Sequence, residues 1–80
     1  MNAIQTKKTL SNNVILRKLK IALNMRDEDI LEALASVDFK FGKHELSALF
    51  RKPNQAQYRP CKDQVLRNFL RGLQKKYRTV

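Results

Sequence analysis

Residues 61–78 read CKDQVLRNFLRGLQKKYR, and whether this stretch coils decides what the rest of the chain builds. As a helix it sorts its residues onto two sides. Leu66, Phe69, Leu70, Leu73 and Tyr77 follow one another at spacings of 3, 1, 3 and 4, which makes an apolar face. Arg67, Arg71, Lys75 and Arg78 follow at 4, 4 and 3, which makes a basic stripe beside it. Asp63 lies in the first turn and Lys75, Lys76 and Arg78 in the last, both in the sense that the helix dipole favours. The helix is expected to begin near Cys61 or Lys62, just after Pro60.

Working back from this segment, the same periodicity recurs three times. Ile15, Leu16, Leu19, Ala22 and Leu23 form one face of a first helix, capped by Asn12 or Asn13, with Val14 and Ile21 nearly opposite as a candidate packing or association surface. Asn24 and Met25 read as a turn. Asp27 is a candidate N-cap for a second helix, whose buried face is Ile30, Leu31, Leu34 and Val37. Asp38–Phe41 reads as an extended linker with a phenylalanine plugging the core. Gly42 caps a third helix, with Glu45 returning a bond to the cap backbone and Leu46, Leu49 and Phe50 facing inward. Pro53 ends it, because proline removes a donor and restricts Lys52. Residues 1–10 show no period and read as a flexible arm. The expectation is an all-α, compact bundle of about four short helices, a single domain over residues 11–80.

Composition excludes more than it assigns. Eighty residues hold one core and no deep, closed active site. No run of apolar residues is long enough for a membrane span, and residues 1–10 lack a secretory apolar segment. One cysteine, Cys61, cannot form an internal disulfide, which points to a reducing, cytoplasmic setting. One histidine, His44, has no companion at metal-ligand spacing, so no metal and no cofactor are expected.

The charge is +10, and it is unevenly spread. Residues 1–26 carry six basic and no acidic side chains, residues 27–38 five acidic and no basic, and residues 39–80 eleven basic and two acidic. The acidic segment has a structural use at the start of the second helix. The basic excess should attract polyanions at low salt. Two candidate contact regions follow: the stripe Arg67, Arg71, Lys75 and Arg78, and the loop holding Arg51, Lys52, Tyr58 and Arg59, where an aromatic ring and amides accompany the cations. Gly72, inside a strong helix, implies the close passage of another helix, either the first or one from a second copy. Cys61 at a helix start beside Arg59 and Lys62 could be a reactive thiol, but no base completes a catalytic pair, and a structural cysteine is the plainer reading. Paired carboxylates, a phosphate-cradling glycine loop and a nucleophile with its base are all missing from the sequence, so an enzyme is not expected.

Four phrases together resemble one family: NNVILRKLKIAL (12–23), EDILEAL (28–34), ELSALFRKPN (45–54) and CKDQVLRNFLRGL (61–73). They are similar to the YehS-like family of small bacterial proteins, whose function is not established. The resemblance implies an all-α fold and a bacterial, cytoplasmic setting. It also implies one of two related helical repeats, most like the second, and so a partner repeat or homo-oligomer. The functional expectation, drawn from the +10 charge, the basic stripe and the cationic loop, is a small basic binding module for nucleic acid or another polyanion such as an acidic protein. The alternative is a protein-interaction or self-association module.

Overall fold

The structure, a computed structural model, describes residues 10–78. The arm expected at 1–10 lies, apart from Leu10, outside the described residues. Four helices follow in order: α1 (Asn12–Ala22), α2 (Asp27–Ala35), α3 (Lys43–Leu49) and α4 (Asp63–Tyr77), with no strand among the described residues. The fold is all-α, as the periodicity implies.

The helix boundaries show which polar residues serve the backbone. Ser11, not an asparagine, caps α1 by accepting the Val14 N–H. Asn12 and Asn13 are released from that duty because they bond residues far along the chain. Arg26 occupies the N-cap position of α2, and Asp29 returns a carboxylate to its N–H at 2.8 Å. Asp27 is thus the first helical residue rather than the cap, and it pairs with Lys20 at 3.7 Å. At α3 the expected arrangement holds: Gly42 is the N-cap, and its N–H donates to Glu45 Oε1 at 2.6 Å. α1 and α2 end alike. Asn24 (φ 53°) and Asp38 (φ 60°) adopt the left-handed conformation. The following N–H then reaches back five residues, Met25 to Lys20 O and Phe39 to Leu34 O. This is the Schellman stop, at positions where a short polar side chain tolerates the strain best after glycine.

Leu16, Ile30, Leu34, Leu46 and Phe69 are the largest fully buried side chains, one or more from every helix. α4 lies mainly along α2 and touches α1, while α2 also contacts α3. On α4 the buried side is Val65, Phe69, Gly72 and Leu73, with Leu66 half-buried. Leu70 and Tyr77 are exposed, at 45% and 55%. The inward face is therefore rotated toward Val65 and Gly72 relative to the apolar spacing, because α2 takes the side that holds the glycine. A methyl group at residue 72 would overlap the Ala33 carbonyl oxygen and lie 2.7 Å from its carbon. The helix that requires Gly72 is α2, not α1 or a second copy. Met25, read from sequence as a turn residue, is buried under the α1–α2 corner. Phe39 and Phe41 stack with ring centroids 6.0 Å apart and close the core from the α2–α3 linker.

Candidate functional site

The long connection from α3 to α4 is fastened before it carries any function. Asn13 is almost fully buried. Its amide Nδ2 donates to Leu49 O at 3.0 Å and Arg59 O at 2.9 Å, and its Oδ1 accepts the Cys61 N–H at 2.8 Å. Asn12 Nδ2 donates to Cys61 O and to Asp63 Oδ1. One side-chain pair thus holds the end of α3, the end of the connection and the start of α4. Asp63 serves this tie to α1 rather than capping its own helix.

Within the connection, Lys52 N–H donates to Gln55 Oε1, Gln55 N–H to Lys52 O, Tyr58 N–H to Gln55 O and Arg59 N–H to Ala48 O. The segment is folded back against α1 and α3. It brings Arg51, Lys52 and Tyr58 together with a cation from α1 that the sequence did not single out. Arg17 reaches over the Phe50 ring, 5.9 Å from its centroid, and donates to Phe50 O. Together these residues line a groove of about 220 Å³ in which Val14, Leu49, Pro53 and Tyr58 supply the apolar surface. No carboxylate lines it. Arg59 is not part of it: its Nη1 folds onto Tyr58 O, and the residue borders a separate groove with Lys62 and Glu45.

The α4 stripe is exposed along its length. Arg71, Lys75 and Arg78 border a hollow of about 460 Å³ with Ser36, Val37 and Asp38 at the end of α2. Lys75 has a structural use there, donating to Ser36 O at 2.8 Å. α2 carries no basic residue in its own last turn, so α4 supplies the cation that the dipole favours. Arg78 lies just past the helix as its C-cap. The two basic regions line separate hollows: the connection's cations sit beside α1, and Arg71, Lys75 and Arg78 sit beside the end of α2. At ~1.5 Å per residue, roughly 18 Å of helix separates Asp63, where Asn12 is tied, from Lys75.

Ion pairing leaves these charges uncompensated. Among the described residues the only salt bridge joins Lys20 and Asp27. Of the proposed association residues, Val14 is half-buried in the groove, Ile21 is 71% exposed and Gly72 is closed against α2. The Cys61 thiol is buried, and burial, with a smaller push from Asp63, raises its pKa above the ordinary 9.0. A neutral thiol in the core is what the structural reading of this cysteine requires. His44 is exposed on the short α3, and Glu45 beside it is occupied by the Gly42 N–H.

A family model described as "Protein of unknown function (DUF1456)" matches residues 12–79. The chain belongs to the DUF1456 family. It is 39% identical over 71 residues to the uncharacterized protein YehS of Escherichia coli (strain K12), a match covering 89% of this chain and 46% of the relative. The chain therefore spans about half the length of that curated relative. No solved structure matches. The DUF1456 match includes all four helices and both basic regions. No helix among the described residues is long and apolar enough to cross a membrane.

Proposed function

We propose that this DUF1456 protein is a small helical module that binds nucleic acid, or a polyanion of similar charge density, in the cytoplasm and without catalysing a reaction. The observation that carries the reading is the uncompensated cation surface. The chain has a formal charge of +10, and a single ion pair is made among its described residues. Arg67, Arg71 and Arg78 are exposed on α4, with Lys75 beside them bonded to Ser36 O, and none of the four makes an ion pair that a phosphate would have to displace. Phosphate contacts of this type give affinity without sequence preference.

The test is a titration of labelled single-stranded RNA, single-stranded DNA and duplex DNA at two salt concentrations. Three phosphate contacts on a single strand, by Arg67, Arg71 and Arg78, imply a slope of about −2 in log affinity against log salt, or roughly 20-fold weaker binding on going from ~50 to ~200 mM. Replacing Arg67 and Arg71 with glutamine should lower both the affinity and the slope. Absence of binding at low salt would end the proposal.

A second reading, a protein-interaction or self-association module, is favoured by the exposed Ile21, Leu70 and Tyr77. Sedimentation equilibrium decides it. Self-association that Ile21→Ser abolishes would support it, and a monomer at every concentration would remove a second copy of this chain as the partner.

A further inference from the structure

We propose that the groove between α1 and residues 51–58 is a subsite for a single-stranded nucleic-acid segment, with one unstacked base on Tyr58 and the flanking phosphates on Arg17, Arg51 and Lys52. The proposal rests on the reading of the protein as a nucleic-acid binder and adds where and in what form the ligand is held.

Three features of the groove favour this ligand. It pairs apolar surface with cations, and no carboxylate lines it. A phosphodiester with an exposed base needs both kinds of surface, whereas an acidic peptide needs only the cations. The groove is also pre-ordered. Tyr58 is half-buried, its N–H is bonded to Gln55 O, and the carbonyl of the next residue is held by Asn13. Arg17 is fixed over Phe50 by its bond to the carbonyl of that residue, and its guanidinium keeps further donors for a phosphate. A stacking platform whose backbone is already held in place loses less freedom on binding than one on an unfastened loop. Finally, the groove is small, about 220 Å³, and set between a helix and a folded loop. A base inside a duplex presents no free face to such a site, while a base in a single strand does.

The experiment compares a short pyrimidine oligonucleotide with an abasic strand of the same length and charge. Fluorescence anisotropy reads both, on the parent chain and on Tyr58→Leu, Tyr58→Phe and Arg51→Gln. The parent should bind the base-bearing strand about 5- to 150-fold more tightly than the abasic one, the range for stacking of a single base. Tyr58→Leu should erase that difference, so that the base-bearing strand binds no more tightly than the abasic one. Tyr58→Phe, which keeps the ring, should retain the difference. Arg51→Gln should weaken both strands.

If Tyr58→Leu leaves the difference intact, the groove is not the base site, although salt-dependent binding elsewhere would preserve the broader reading. If the parent binds both strands equally, the subsite is refuted in the same way. If neither strand binds at low salt, both readings fall. Equal displacement of the oligonucleotide from the parent by poly-glutamate and by the abasic strand, with no gain from bases, would replace the nucleic-acid subsite with an acidic-protein one.

Discussion

Replacing Asn13 with aspartate changes one atom, from nitrogen to oxygen, and should be among the most damaging conservative substitutions in the molecule. The orientation of the Asn13 amide is set by its partners. Two carbonyl oxygens, of Leu49 and Arg59, require the nitrogen, and the Cys61 N–H requires the oxygen. An ionised carboxylate offers acceptors only. It would keep the Cys61 bond but set an oxygen against two lone-pair-bearing carbonyls in a site where Asn13 is 8% exposed. Two lost bonds plus a poorly solvated charge come to about 3–4 kcal/mol. A chain of this length is stable by about 4–12 kcal/mol in total, so the loss is a large part of it. Asn13→Ala removes all three bonds but buries no charge, and should cost about 2–3 kcal/mol.

The two variants also differ in pH dependence. Among carbonyl oxygens and away from water, the introduced carboxyl has its folded pKa raised above its ordinary value. Stability linked to such a group is present in full below the unfolded pKa and is lost as pH rises through the folded one. Urea denaturation followed by circular dichroism should therefore show Asn13→Asp closing on the parent at acid pH, while Asn13→Ala keeps a constant deficit. An Asn13→Asp protein as stable as the parent at neutral pH, or with a deficit that does not change with pH, would refute the clamp.

Gly72→Ala should destabilise by about 1–3 kcal/mol despite alanine's better helix propensity, because the obstacle is the Ala33 backbone carbonyl and not a movable side chain. Thermal denaturation should register this as a drop of about 4–8 °C per kcal/mol, and an unchanged or higher midpoint would contradict the α2–α4 packing. Lys75→Met should cost about 0.3–1 kcal/mol through loss of the cation at the end of α2, with the effect diminishing in high salt; urea titration at two ionic strengths tests it. Because burial raises the Cys61 thiol above 9.0, the folded state holds that proton longer than the unfolded state. Stability should be full below that value and fall as pH rises beyond it, a slope that denaturant titrations should find reduced in Cys61→Ala.

The helices were legible because their signals are local. The spacing of Phe69 and Leu73, the Gly42–Glu45 pair and the proline at 53 each act within one or two turns. Which way α4 turns was not local. Leu70 and Tyr77 fit the apolar spacing as well as Leu66 does, and only the approach of α2 on the Gly72 side puts Val65 inside and leaves those two in water. The glycine announced a close neighbour but not its identity. Likewise an asparagine pair before an apolar run reads as a cap, yet Ser11 one position earlier performs that service. The long-range use of Asn12 and Asn13 depends on partners 36 to 51 residues away, which no pattern in residues 11–23 can reveal.

The same distinction separates the two basic regions. The α4 stripe is a property of one helix, and its exposure follows from the phase of the residues that face inward. The groove is a property of the tie between elements. Arg17 is spaced as an ordinary solvated residue of α1, and becomes a neighbour of Arg51, Lys52 and Tyr58 only because Asn13 holds the connecting segment against that helix. Arg59 stays out of the groove: its carbonyl is held by Asn13 and its guanidinium folds onto Tyr58 O. A substitution at Asn13 that leaves the fold intact should therefore disperse the groove cations while sparing the stripe on α4. Single-strand binding should then lose the base-dependent difference, as in Tyr58→Leu, and weaken for both strands, as in Arg51→Gln, with the salt slope contributed by Arg67, Arg71 and Arg78 retained.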